Sequence, residues 1–232
     1  MANIKLESIN TQRGPTVAEQ VFDYLYERVL TLELPPGAKL SEVEVSRQMN
    51  VSRQPVREAF FRLSQLGFLL IRPQRATVVR PISEREVLQA MYIRSALEFE
   101  VVHNATTQAT PEQHATLRNL IAKQNAAVET GDKILFHTLD DLFHKSICEV
   151  ANAGYVWTYI KEKKAHMDRV RYLTLDAGAK IALDEHKHIL DAIESGDSQK
   201  AVDQMRSHLS RIKIDLPIIR KKHEQYFLKE DK

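Results

Sequence analysis

The sequence is short of cysteine and contains no long apolar run. Cys148 is the only cysteine among 232 residues, which excludes an internal disulfide framework and a cysteine-based zinc finger. No apolar segment opens the chain, and no apolar run approaches the ~18 residues of a membrane helix. We therefore predict a protein without a secretory signal or a membrane partner, and the cytoplasm is its expected location.

The net charge of +2 conceals a local excess of arginine. Residues 45–80 contain seven arginines and one acidic residue, Glu58, whereas residues 81–232 are nearly balanced, with 22 basic and 23 acidic residues. A basic stretch on an otherwise neutral chain is typical of a surface that binds a polyanion. Solvated surface charge is the alternative while this stretch is considered alone.

The first third of the chain has the element order of a winged helix-turn-helix. A capping box at 16–19 begins a first helix, Ser41 and Ser52 are expected to cap a second and a third, and strands at 68–71 and 77–80 form a hairpin. We predict three helices plus a two-stranded wing at 16–82, preceded by a flexible arm at 1–15.

The third helix carries its charge at its N-terminal end. Pro55 fits only the first turn of a helix, where backbone N–H groups lack partners within the helix. Arg53 and Arg57 are four residues apart and share one side near Gln54. Arginine can read guanine and glutamine adenine in the major groove, and a helix N-terminus favours phosphate. The helix is therefore predicted to read DNA, with a solvated surface helix as the alternative.

The predicted hairpin adds basic residues to this surface. The stretch RPQRATVVR places Arg72 and Arg75 at the hairpin tip, where a wing touches phosphate or the minor groove. A short helix, a tight turn and a basic hairpin together favour DNA binding over a solvated helix.

Beyond residue 82 no further strand is predicted, and the fold class is mainly α. An all-α helical-bundle effector domain is expected at 83–216, followed by a C-terminal tail at 217–232 that begins where Pro217 ends or kinks the last helix. Gly131, Gly154, Gly178 and Gly196 are expected to separate helices. The predicted helices cover 84–107, 111–130, 132–152, 155–175, 183–195 and 198–215.

Four polar residues of this domain fall on apolar stripes of three predicted helices. Asp140 and His144 are four apart on one helix, and His186 and His208 lie on two others. Burying one carboxylate and three imidazoles is costly unless they share a partner. One divalent ion per chain would satisfy all four, with Zn²⁺ expected first and Ni²⁺ or Mn²⁺ as alternatives. Taken singly, each histidine fits a packing role instead.

The other histidines do not share this placement. His188 is two residues from His186 and is turned about 200° around the helix, away from the apolar stripe. It is therefore excluded from the metal site, as are His103, His114, His137, His166 and His223.

The N-terminal domain resembles the GntR family of bacterial transcription regulators. The resemblance rests on PPGAKLSEVEVSRQMNVSRQPVREAFFRLSQLGFL, within residues 16–82. It implies that Ser52, Arg53 and Arg57 contact operator DNA, with Gln54 beside them. Val43 stands where some members have an arginine, and Ala76 where the wing usually has glycine.

The second domain resembles the FCD effector domain of the FadR branch of that family. The similar stretches are DDLFH, EHKHILDAIESGD and the HL at 208–209, within residues 83–215. The resemblance implies a metal held by Asp140, His144, His186 and His208, with open positions for a carboxylate effector. Arg94 matches a frequent arginine of that domain and is expected to meet the carboxylate; Arg171 is a second candidate.

The sequence thus predicts a homodimeric regulator, expected to be a repressor, whose affinity for a near-palindromic operator responds to a small carboxylate metabolite. The sign of that response is left open. Two alternatives remain: a metal-dependent hydrolase or isomerase that uses the Asp/His group, and a regulator whose metal is purely structural.

Overall fold

The computed structural model describes residues 14–72 and 75–229, which form two compact units. One unit contains the chain up to Val29 together with Gly37–Arg80, and the other contains Leu30–Pro36 together with the chain from Pro81 onward. The predicted arm at 1–15 lies almost wholly outside the described residues, as do Pro73 and Gln74 of the predicted wing tip.

The N-terminal unit is a winged helix-turn-helix, as predicted. On the third helix Val56, Ala59, Phe60 and Leu63 are buried, which is the stripe expected from their helical spacing. Its elements are α1 (Val17–Leu30), β1 (Lys39–Leu40), α2 (Glu42–Gln48), α3 (Arg53–Gln65), β2 (Leu69–Leu70) and β3 (Thr77–Val79).

The wing has three strands rather than the predicted two. Strand β3 lies between β1 and β2 and is antiparallel to both, so Lys39 pairs with Val78 and Leu69 with Val79. The two-residue strand β1 was missed because it is too short to show a period-2 pattern and forms only through pairing with β3.

The ends of these helices agree only in part with the predicted caps. Thr16 and Glu19 form the expected reciprocal capping box before α1. Ser41 and Ser52 occupy the N-cap positions of α2 and α3, but neither side chain makes a capping hydrogen bond. Asn50 adopts φ 51°, a left-handed conformation that asparagine tolerates, and makes the turn between α2 and α3 tight.

The second unit consists of helices packed against each other. Helix α4 packs on α7 and α9, α5 on α6, and α8 on α9. The elements are α4 (Glu84–Gln108), α5 (Pro111–Thr130), α6 (Lys133–Val150), α7 (Val156–Tyr172), α8 (Leu175–Glu194), α9 (Ser198–Ser210), α10 (Ile212–Lys222) and a 3₁₀ turn (Glu224–Tyr226).

Two predicted boundaries in this unit were wrong. Helix α8 begins at Leu175, so Gly178 lies inside a helix rather than between two. The predicted tail is also structured: α10 continues through Pro217 to Lys222, and Phe227 is 5% exposed and bridges Ile82. The C-terminal residues therefore belong to the packed unit at least as far as Leu228.

The core of the helical unit has two parts. The larger cluster includes Phe143, Ile147, Ile189 and Met205 and occupies the middle of the bundle. The smaller one joins the start of α4 to α10 and includes Ile82, Val87, Leu216, Ile219 and Phe227. Within the described ranges, no helix is both long and apolar enough to cross a membrane.

Candidate functional site

The N-terminal end of α3 presents the predicted DNA-reading residues to solvent. Ser52 and Gln54 are exposed, and the side chains of Arg53 and Arg57 are 57% and 58% exposed. Both guanidinium groups lie near Glu42 of α2, whose Oε2 is 3.4 Å from Arg53 and 3.3 Å from Arg57. The structure thus brings the two arginines to one side of the helix, where exposed ion pairs are weak and easily exchanged.

The wing arginines are also exposed. The backbone N–H of Arg75 donates to the carbonyl of Arg72 at 3.3 Å, so these two residues lie close together between β2 and β3. Guanidinium groups placed in this way are free to contact phosphate. Val43 and Phe61, on α2 and α3, are 55% and 59% exposed apolar residues of the same unit.

Asp140, His144, His186 and His208 are brought together in the second unit. Asp140 and His144 come from consecutive turns of α6, His186 from α8 and His208 from α9. Each offers one ligand atom, and these atoms all lie within 4.8 Å of one another. The first three residues are at most 1% exposed, so the group is closed to bulk water on their side.

Each of the three imidazoles is held through its Nδ1 by a different acceptor. Glu98 of α4 contacts His144, and the Gln124 amide oxygen of α5 lies 2.9 Å from Nδ1 of His186. Glu185 Oε2 lies 2.8 Å from Nδ1 of His208. Acceptors at Nδ1 favour the tautomer that carries the proton on Nδ1. The Nε2 lone pair of each ring is then available to bind a cation between the four residues.

The surroundings also favour an ionised Asp140 and neutral His144 and His186. Burial opposes ionisation of Asp140, but the Arg171 guanidinium holds the pKa of this carboxyl well below its usual range. Burial lowers the pKa of His144 and takes that of His186 well below its ordinary value, where His208 acts in the same direction. A carboxylate with neutral imidazoles is the state that metal ligation requires.

The side chains around this group fit a cation. Nε2 of His144, Nε2 of His186 and Oδ1 of Asp140 are buried without a hydrogen-bond partner, whereas Oδ2 of Asp140 is paired with Arg171. Unpartnered buried polar atoms cost about 1–3 kcal/mol each, so a group of them facing one another indicates a bound partner. Nitrogen and oxygen donors of this kind suit Zn²⁺ and other divalent ions of the first transition row.

A cavity of about 120 Å³ opens beside His208. Arg94 and Arg171, the two arginines predicted to meet an effector, both line it. Arg171 is paired with Asp140, with 2.8 Å between Nη2 and Oδ2, and Arg94 is paired with Glu98. One guanidinium nitrogen of each arginine is buried without a hydrogen-bond partner. The cavity is therefore lined by two guanidinium groups, the side-chain type that binds anions, and has room for several water molecules or a small organic acid.

Burial and charge act in opposite directions on the Glu98 carboxyl. Burial alone would raise its pKa, but Arg94 and His144 together lower it to about 2. Glu98 is therefore ionised between the fixed cation of Arg94 and the His144 imidazole, and it joins the cavity arginine to the Asp/His group.

Sequence reasoning missed the residues that surround the group. Glu98, Gln124 and Glu185 had no pattern of their own, although Glu98 is four residues after Arg94 and Glu185 directly precedes His186. His137, which the sequence analysis excluded as a ligand, is not one of the four grouped residues; it is nevertheless buried and lines the cavity. His188 is exposed, as expected from its position two residues from His186.

A winged helix-turn-helix with exposed arginines on its third helix and wing is typical of DNA-binding regulators, and here a helical bundle with a buried Asp/His group follows it in the same chain. Residues 17–79 match the family described as "Bacterial regulatory proteins, gntR family", and residues 89–211 match the FCD domain. The chain belongs to the GntR family of bacterial transcription regulators, in the FadR-like group that carries an FCD domain.

Named relatives agree with this assignment. The chain is 35% identical over 227 residues to the "HTH-type transcriptional repressor RspR" of Escherichia coli K12, covering 96% of this chain and 100% of the relative. It is 32% identical over 197 residues to the "Probable D-xylose utilization operon transcriptional repressor" of Paenarthrobacter nicotinovorans, covering 84% and 86%. Its fold is similar to that of Escherichia coli McbR/YncC, with a TM-score of 0.73, 24% identity and coverage of 90% and 100%.

Membership of this family distinguishes a transcription regulator from an enzyme, which were the two classes of function left open by the sequence. These proteins are transcription regulators and not enzymes, so the hydrolase or isomerase reading is set aside. The chain is a DNA-binding transcription regulator. Among its relatives are proteins named as repressors.

Proposed function

We propose that this protein is a repressor that binds a near-palindromic operator as a homodimer and responds to a small carboxylate through a metal in its helical domain. The observation that carries the proposal is the convergence of Asp140, His144, His186 and His208 beside an arginine-lined cavity. The overall test is to measure operator affinity of the metal-loaded protein with and without a small carboxylate. The proposal requires that the carboxylate bind and that its binding change the affinity for the operator.

On the DNA side, the proposed contacts are Ser52, Arg53, Gln54 and Arg57 from α3 with Arg72 and Arg75 from the wing. The exposure of these side chains supports this. One recognition helix covers only one half-site, so a two-fold pair of chains is needed for high specificity. Tyr92 on α4, Tyr159 on α7 and Tyr155 directly before α7 are each more than 60% exposed. Helices α4 and α7 pack together, and tyrosine is enriched at protein interfaces. We place the dimer contact there.

In the helical domain, Asp140, His144, His186 and His208 would hold one divalent ion, with Zn²⁺ preferred and Ni²⁺ or Mn²⁺ possible by donor chemistry. The bound ion would supply positive charge and open positions for a carboxylate. Glu98, Gln124 and Glu185 orient the three imidazoles, and Arg94 and Arg171 present donors to the same anion. An alternative, favoured by the near-complete burial of the first three ligands, is a metal that only stabilises the fold.

Arg171→Gln is expected to weaken the binding of a small carboxylate about tenfold or more, because it removes a charge-assisted hydrogen bond. The measurement is calorimetric titration of the Zn²⁺-loaded protein with malate, succinate and gluconate. Lys161→Gln, an exposed change on the same helix, is the control. Equal affinities for the Arg171 and Lys161 variants would remove Arg171 from the effector site.

Arg75→Ala is expected to reduce the slope of log affinity against log salt by about one, the effect of one lost phosphate contact. Fluorescence anisotropy with an operator duplex between about 50 and 200 mM salt measures that slope. Lys200→Ala, an exposed lysine of the helical unit, should leave it unchanged. An unaltered slope in the Arg75 variant would mean that the wing tip does not touch the DNA backbone.

A further inference from the structure

Helix α10 forms one wall of the cavity. Arg211 at the junction of α9 and α10, and Ile212, Asp215 and Ile219 on α10, all line it. A molecule that fills the cavity therefore contacts this helix as well as the arginines of α4 and α7. Part of the binding energy of such a molecule depends on α10 being seated.

Helix α10 and the residues after it also contact Ile82, near the start of the helical unit. Ile219 lines the cavity and also packs in the small cluster with Ile82 and Phe227. The backbone N–H of Ile82 donates to the Tyr226 carbonyl at 2.8 Å, and the N–H of Leu228 donates to the Ile82 carbonyl at 2.8 Å. This pair of hydrogen bonds fixes the residue that stands two positions after Arg80, the last residue of the DNA-binding unit.

An ion pair strengthens the attachment on the outside. Arg220 Nη1 donates to Glu84 Oε2 at 2.6 Å, which joins the end of α10 to the first turn of α4. Both side chains are about one third exposed, so the pair contributes modestly to stability but adds directional restraint.

Glu185 connects this segment to the Asp/His group. One of its oxygens lies 2.8 Å from Nδ1 of His208, and the other accepts from Nη1 of Arg211 at 3.2 Å. Arg211 is the residue at which α9 ends and α10 begins. The Glu185 carboxylate therefore positions both the His208 ring and the start of α10 after α9.

We propose that residues 212–228, here called the C-terminal clamp, transmit occupancy of the metal group and the cavity to residues 82–84, from which the chain continues to the DNA-binding unit. The proposal rests on the proposed function. A bound ion fixes His208 and, through Glu185, Arg211; a ligand in the cavity adds contacts to Ile212 and Ile219. Both stabilise the seated clamp, and the clamp in turn restrains Ile82.

Amide hydrogen exchange with Zn²⁺ alone as the probe tests this in the full-length protein. The two reporters are the amides of Ile82 and Leu228, which form the bridge. Adding Zn²⁺ to metal-free protein is expected to slow exchange in α6, α8 and α9 and, with them, to slow the two bridge amides about tenfold, because local opening of the clamp becomes less favourable.

Phe227→Ala removes the buried ring that seats the clamp, and the matched control is Leu228→Ala, whose side chain is 46% exposed in the same segment. The Phe227 variant is expected to keep the Zn²⁺-dependent protection of α6 and α8 and to lose that of Ile82. Arg220→Gln, a surface change with little risk to folding, should reduce the protection of Ile82 in the same direction.

The outcomes separate the two proposals. Protection of α6, α8 and α9 without any change at Ile82 and Leu228 would overturn the clamp while the metal site stands. Protection of Ile82 that survives in both the Phe227 and the Arg220 variants would overturn it as well. No Zn²⁺ binding and no protection anywhere would remove the proposed metal function, and the clamp proposal with it.

Discussion

Purified His208→Ala protein is expected to contain no stoichiometric metal, whereas the wild-type protein should carry about one divalent ion per chain. His208 is one of four residues whose ligand atoms lie within 4.8 Å of one another, and α9 supplies only this one. Losing one of four ligands costs most of the affinity of a site built from nitrogen and oxygen donors. Elemental mass spectrometry of tag-free protein measures the metal directly.

His188→Ala is the matched control for this prediction. His188 is exposed and lies on α8, two residues from the buried His186. Its replacement should leave one ion per chain. Wild-type protein that stays metal-free even after reloading with Zn²⁺, Ni²⁺ or Mn²⁺ would contradict the metal assignment. The buried Asp/His group would then bind an anion directly or serve packing, and the DNA-binding half of the proposal would be untouched.

Chelation distinguishes a sensing metal from a structural one. A ligand present at about 1,000 times its dissociation constant stabilises the folded state by about 4 kcal/mol, so its removal should lower Tm by about 10 °C in a domain of this size. If chelation lowers Tm but leaves carboxylate binding intact, the metal is structural. If carboxylate binding disappears with the metal, the two share one site.

The sequence contained most of the information needed to predict the Asp/His group. Asp140 and His144 are four residues apart on an apolar stripe, and a helix places such residues on one face. His186 and His208 were recognised by the same alignment with apolar neighbours. Their acceptors could not be predicted in this way. Gln124 comes from α5, and only the packing of α5 against α8 brings its amide to His186.

The parts of the fold that were missed depend on tertiary contacts. Pro217 lacks a backbone N–H and is expected to end or kink a helix. Helix α10 nevertheless continues through it, because the neighbouring Leu216 and Ile219 are buried in the small cluster and hold the helix against α4. Likewise, Gly178 has no Cβ and weakens a helix by only about 1 kcal/mol, which packing can offset. The local sequence pattern therefore cannot predict whether the helix continues at Pro217 or at Gly178.

Arg57→Ala is expected to weaken operator binding about 10- to 100-fold, because a bidentate contact between arginine and guanine contributes about 1–3 kcal/mol of discrimination. The Arg57 side chain is 58% exposed at the N-terminal end of α3 and forms an ion pair with Glu42. An operator selected from a random duplex pool and measured by gel shift at moderate salt provides the readout.

Two further variants test the same prediction: one is a control, and the other is expected to raise operator affinity. Arg28→Ala removes a cation of the same unit that stacks over Tyr24 on α1, and it should leave operator affinity nearly unchanged. Glu42→Gln should raise affinity modestly, because the carboxylate that now lies 3.3–3.4 Å from Arg53 and Arg57 would otherwise compete with DNA for both. Unchanged binding in the Arg57 variant would mean that α3 does not read the operator. A loss of affinity in the Glu42 variant would instead mean that this ion pair positions the arginines for DNA rather than competing with it.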